Sequence, residues 1–336
     1  MPSRPSWLPD NFTLVIVAAV VLASVAPASG VVARGLGAAT VALVALLFFL
    51  HGAKLSGEAV LAGLTHWRLH LTVLACTYVL IPLLGLALRP LLQPLIGPEL
   101  YLGVLFLCVL PSTVQSSIAF TSVARGNVPA AVVSASASNL LGMFLTPLLV
   151  GLIVAGHGGV PVSFDAVGKI VLQLLLPFVA GQVARRWIGG WVARHKALTR
   201  FSDQGTIVLV VYTAFSAAVI DGLWRSVPPR LLIGLLAICA LLLALTLVLT
   251  TWGARRLGFD KEDEITIVFC GSKKTLASGV PMAQVLFAAA AVGTMVLPLM
   301  IFHQLQLMVC AVLARRYAAR PLSEGGAAAA AGTRSR

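Results

Sequence analysis

Ten apolar segments dominate this chain, and each is close to the length that crosses a bilayer. They run approximately over 12–29, 36–53, 70–88, 100–123, 128–155, 166–186, 205–221, 231–252, 264–285 and 288–314. A helix rising about 1.5 Å per residue needs about 20 residues to span the hydrocarbon. The 336 residues are 59% hydrophobic and only 10% charged, a balance that excludes an ordinary soluble domain. The expected class is an all-α polytopic membrane protein with ten transmembrane helices. The connections are short, so no soluble domain is expected. The start offers a weak imitation of a signal peptide, with Arg4, an apolar run and Ala26-Pro27-Ala28-Ser29. Asp10 and the single arginine make a poor leader, and the run reads better as the first transmembrane helix.

The net charge of +13 does not point to nucleic acid. Lysines and arginines are scattered through the short loops, as the positive-inside rule expects. With the N-terminus inside, 17 of them fall on the inner side and 5 on the outer. This predicts both termini in the cytoplasm and a plasma membrane location, the inner membrane if the cell is bacterial. The Gly/Ala/Ser-rich tail over 321–336 is predicted to be a disordered cytoplasmic extension. Cys76, Cys108, Cys239, Cys270 and Cys310 all lie in apolar spans without a CxxC pair. They read as small buried residues, and neither a metal site nor a cofactor is expected.

The most informative stretch is Phe269-Cys270-Gly271-Ser272-Lys273-Lys274-Thr275-Leu276-Ala277-Ser278-Gly279-Val280-Pro281, inside the ninth segment. A lysine near the bilayer centre costs about 2.5–3.5 kcal/mol on insertion scales. Glycine and proline free backbone groups that lipid cannot satisfy. Such a stretch must be buried against other helices or line a watery cavity. The acidic residues all read as loop, tail or helix-end positions, with Glu264 at the mouth of this segment. The two lysines therefore have no evident carboxylate partner within a span.

Segment four is broken in the same way, by Leu110-Pro111-Ser112-Thr113-Val114-Gln115-Ser116-Ser117. Segments five and ten, which follow the two breaks, share a G-x4-P-L pattern at Gly142–Leu148 and Gly293–Leu299. Two halves of five helices must run in opposite senses. The predicted division is 1–155 and 156–320, two inverted five-helix repeats. Paired interrupted helices in inverted halves point to the binding site of a secondary transporter. Ser134, Ser136, Ser138 and Asn139 on segment five add to the polar cluster, with 134 and 138 one turn apart.

These motifs carry a resemblance. The region from Pro111 to Pro147, with Ser116-Ser117, Ala124-Arg125-Gly126-Asn127-Val128 and Thr146-Pro147-Leu148, resembles the bile acid:sodium symporter family. The 269–283 stretch resembles its sodium bile acid symporter-like sub-branch. The resemblance implies a core domain with two crossing discontinuous helices, segments four and nine, and a panel domain from segments one, two, six and seven. It implies secondary active transport of a small organic anion by alternating access. Matched to the family's pattern, the ion ligands would be Ser116, Ser117, Ser134, Ser138 and Asn139, with Thr77 at the position of a further ligand on the third segment. The substrate ligands would be Lys273, Lys274, Thr275, Ser272 and Gln115. The sodium site departs from the pattern. Phe269 or Cys270 stands near the family's glutamate, Lys273 near its glutamine, and Thr77 near a second glutamine. Each change weakens a site for a hard cation, which leaves sodium or a proton as the coupling ion to be decided. Either a lysine ammonium takes the place of a sodium ion or a lysine meets the anion, and Lys273 is the expected one to face the cavity. Two other readings stand beside transport. One is a membrane component with a regulatory role; the other is a Ser/Lys hydrolase, for which no GxSxG or SxxK frame exists. No enzyme activity is expected. The oligomeric state stays open, a monomer among the choices.

Overall fold

A computed structural model of the chain describes residues 11–54, 66–154 and 176–320. Every regular element among them is helical, as a sequence with no alternating polar pattern requires. The helices are α1 (Asn11–Val25), α2 (Gly30–Lys54), α3 (Trp67–Ala87), α4 (Arg89–Val109), α5 (Val114–Val123) and α6 (Val128–Leu149). They continue as α7 (Leu176–Arg194), α8 (Lys196–Ile220), α9 (Leu223–Ser226), α10 (Pro229–Arg256), α11 (Lys261–Gly271), α12 (Leu276–Leu286) and α13 (Ala289–Ala318). A π turn over Cys76–Leu80 interrupts α3.

Seven of the described helices are long and apolar enough to cross a membrane, and the chain is an integral membrane protein. The departures from ten simple spans have physical causes. Segments four and nine are each split into two shorter helices, α4/α5 and α11/α12, where proline and glycine stop the ladder. The first segment forms a helix of only 15 residues, because Pro27 follows it closely. The sixth is described only from Leu176 onward. The proposed division at 155/156 and the tail over 321–336 lie outside the described residues.

The helices form two packed groups. In one, α1, α2, α7 and α8 lie against each other; in the other, α3–α6 and α10–α13 do. Helix α8 leans on α12 and α13 and joins the groups. Helices α2 and α7 meet backbone to backbone, the close approach that small residues permit in membranes. A Cβ on Gly181 would stand 1.9 Å from the Phe49 carbonyl oxygen, and one on Gly52 would stand 2.1 Å from that of Phe178. Neither oxygen belongs to a flexible side chain that could swing away. Gly181→Val is therefore expected to force α2 and α7 apart and cost about 3 kcal/mol or more. Thermal unfolding of the purified variant checks this; a melting temperature equal to the parent's would contradict the close packing.

At the far end of the second group Glu264 is buried, with its carboxylate 4% exposed. It accepts from Arg255 Nε at 3.0 Å and Lys261 Nζ at 2.6 Å. The mouth of the ninth segment is thus closed by a paired charge.

Candidate functional site

The two breaks meet inside the second group. Each half-helix ends with carbonyls that have no partner in its own ladder, and each finds one across the crossing. The Ser112 hydroxyl donates to the Cys270 carbonyl at 2.6 Å, and Ser117 donates to that of Phe269 at 3.0 Å. The Thr113 hydroxyl donates to the Lys274 carbonyl at 3.0 Å, and the Thr275 N–H donates to that of Pro111 at 3.0 Å. Thr146 covers the Val109 carbonyl at 2.8 Å from α6. The serines and threonines of the breaks are the backbone's missing partners, so the crossing is rigid rather than loose.

Both lysines are completely buried, at 0% exposure, but their side chains go to different places. Lys274 Nζ donates to three backbone carbonyls, of Thr77 at 2.8 Å and of Cys108 and Leu110 at 2.7 Å each. Its own peptide is clamped by Gln306, which accepts from the Lys274 N–H at 3.0 Å and donates to its carbonyl at 2.9 Å. Lys273 Nζ makes no hydrogen bond. It stands 3.7 Å above the centre of the Phe120 ring and 5.7 Å from that of Phe269, a cation–π pair at a fully buried position.

A cavity of about 480 Å³ lies between the two groups. Thr113, Gln115, Ser116, Ser136, Asn139 and Thr275 supply polar groups on one side. His51, Asp203 and Gln204 supply them on the other. Of the predicted substrate residues, Thr275 and Gln115 line it. Ser272, Lys273 and Lys274 do not, and Ser272 bonds back to the Val268 carbonyl at 2.6 Å. Of the predicted ion residues, Ser116 and Asn139 line the cavity, and Asn139 Oδ1 accepts from Ser278 at 3.0 Å. The other four lie in the protein interior. Ser134 pairs with His70 Nδ1 at 2.7 Å, Ser138 Oγ accepts the Ser112 N–H at 3.1 Å, and Ser117 is at the crossing. Thr77 bonds its hydroxyl to Val73 and offers only its carbonyl to Lys274. The expectation that Lys273 faces the cavity differs from this placement. The break is not helical, so the 100° step between neighbours does not set the two directions.

Sequence reasoning missed Gln306, His51 and Asp203, and read His303 only as a residue able to bond a neighbouring helix. Gln306 and His303 were visible as polar residues inside an apolar span, spaced to share a face. Asp203 falls just before the seventh apolar segment, among acidic residues read as loop, tail or helix-end positions, but α8 begins at Lys196, so Asp203 is on the helix and lines the cavity.

The model of the SBF-like CPA transporter family matches residues 10–319. An uncharacterized protein of Pseudomonas aeruginosa is 68% identical over 95% of this chain and 96% of its own length. A protein of Escherichia coli named as the symporter YfeH is 57% identical over 92% of each chain. Sodium/bile acid cotransporter 7 of Rattus norvegicus is 28% identical over 80% of each. The family and these named symporters are transporters, not enzymes. With its apolar helices, its paired breaks and a match over nearly its whole length, the chain is a membrane transporter and belongs to the SBF-like CPA transporter family.

Proposed function

We propose that this protein is a secondary transporter of a small organic anion, carried by alternating access as the crossing-helix core moves against the α1, α2, α7 and α8 panel. One observation carries the reading. Helices α5 and α12 both begin at the cavity, and neither first turn has a side-chain cap. The residues in the cap positions are Thr113 and Thr275, a type that caps well. Thr113 instead gives its hydroxyl to the Lys274 carbonyl across the crossing. Two sets of first-turn N–H groups, each with the positive end of a helix dipole, are thereby presented to one cavity. That is a receptor for a carboxylate, sulfonate or phosphate group. Gln115, Ser116 and Asn139 add side-chain polar groups on the same wall. Inverted repeats of five helices would put the two starts opposite each other.

The hydrolase reading finds no support in the geometry. Lys274 Nζ is occupied by three carbonyls and Lys273 Nζ bonds no serine. A regulatory role without transport would not require two uncapped helix starts at a cavity shared by two packed groups.

The test is uptake into proteoliposomes of labelled organic anions of graded size, in sodium, potassium and choline salts and at several pH values. Gln115→Leu removes a polar group from the cavity wall and leaves the crossing intact. Losing one hydrogen bond to a charged group is expected to lower kcat/KM about tenfold or more at unchanged melting temperature. Failure of every anion to accumulate in liposomes holding folded protein would overturn the reading.

A further inference from the structure

The three carbonyls around Lys274 Nζ form a cation site. Those of Cys108 and Leu110 come from the C-terminal end of α4, where the last turn has no ladder partners. That of Thr77 belongs to the π turn of α3, where the ordinary i to i−4 ladder is interrupted. A helix C-terminus carries a partial negative charge, and freed carbonyls at broken helices coordinate small cations in transporters. All three oxygens lie 2.7–2.8 Å from one nitrogen. Three acceptors call for three donors. An ammonium has three and a neutral amine two, so the contacts themselves specify the charged lysine. The residue is held on both sides by Gln306 and Thr113, which fixes the root of the side chain as firmly as its tip.

We propose that Lys274 is a resident cation. Its ammonium permanently holds a point at which an exchanging monovalent ion would tie α3, α4 and the second break together. Sodium does not enter this point, and a sodium gradient does no work there. The energetic consequence rests on the transport reading above; the binding statement does not. Symport requires the ion to be taken up on one side and released on the other. A cation joined to the chain is never released, so it moves with the core in both directions and favours neither. At this site the anion therefore moves down its own gradient or in exchange for another anion. Truncating the lysine uncovers three carbonyls around a space of ammonium size, which a small monovalent cation fits.

Thermal unfolding of the purified protein, in sodium, potassium, methylammonium and choline chloride at equal ionic strength, tests this. The parent is expected to melt at one temperature in all four. Lys274→Ala is expected to melt well below it in choline and to regain part of the loss, saturably, with at least one small cation. Lys274→Met should stay low in every salt, because its uncharged chain fills the space. A saturable sodium-dependent rise in the parent's melting temperature would overturn the proposal. So would a Lys274→Ala variant indifferent to all three small cations. If the alanine variant cannot be purified, retention of radioactive sodium by the parent decides: background retention supports the proposal, and saturable retention overturns it. The two readings fail separately. Uptake with a sodium-responsive parent sinks the resident cation alone; a salt-indifferent parent without uptake sinks transport alone.

Discussion

Lys274→Met is expected to abolish uptake and to lower the melting temperature more than any other single change at the crossing, while Lys273→Met folds and transports. The two residues are neighbours, equally buried and identical in chemistry, so their environments alone separate them. At Lys274 the substitution strands the Thr77, Cys108 and Leu110 carbonyls. Each buried group left without its partner costs about 1–3 kcal/mol. Three together amount to a large share of the roughly 5–15 kcal/mol that holds a protein folded. At Lys273 the substitution removes a buried ammonium that makes no hydrogen bond. What is lost is a cation–π contact with Phe120, about 2 kcal/mol when desolvated. What is gained is the several kcal/mol that burying the ion costs, together with a sulfur–aromatic contact of about 0.3–1.5 kcal/mol. The sum is close to neutral or stabilising. Melting curves and uptake on both variants check the pair. A dead Lys273→Met beside an active Lys274→Met would transfer the central role to Lys273.

The contrast also marks what the sequence could carry. Apolar runs of bilayer length and the proline, glycine and serine punctuation at 110–117 and 271–281 placed both interruptions, because lipid forbids unpaired backbone. Burial of both lysines followed from the apolar flanks. The direction of each side chain did not, since the decisive partners of Lys274 are main-chain carbonyls that every residue possesses. The π turn at Cys76–Leu80 does not show in the hydropathy; there the Ile81 N–H goes to Cys76 and Pro82 has no N–H to give, which leaves the Thr77 carbonyl available. Helix α6 shows a finer limit. Its polar side chains read as one cluster, yet they divide between two faces. Ser134 and Ser138 turn inward to His70 and the Ser112 N–H, whereas Ser136 and Asn139 line the cavity. Spacing at i, i+4 and i, i+3 defines each pair, but only the neighbouring helices decide which pair faces the cavity. Asp203 was hidden for another reason: hydropathy ends a segment at its last apolar residue, and α8 continues past that point to Lys196.

The proposed movement of the core against the panel gives the second large effect. Gln204 on α8 and Ala277 on α12 line the cavity from opposite sides, and their helices pack on each other. Both side chains are partly exposed, so cysteines there would be accessible to a thiol reagent. The native cysteines are all buried, which leaves an introduced pair as the reactive one without altering the core. A Gln204→Cys/Ala277→Cys protein treated with a short bifunctional thiol crosslinker is expected to lose uptake to background and to regain it when the link is cleaved. In the proposed mechanism the link joins two bodies whose relative motion would expose the site first to one side and then to the other. The reagent also occupies space in the cavity, so a second pair is needed to separate locking from blocking. Val114→Cys/Ala277→Cys places both ends of the same link on the core, still within the cavity wall. If locking is the cause, the core–core link leaves a substantial fraction of uptake, because its two ends travel together. Parent-level uptake by the core–panel crosslinked protein would show that the core does not move against the panel, and equal loss from both links would reduce the effect to obstruction.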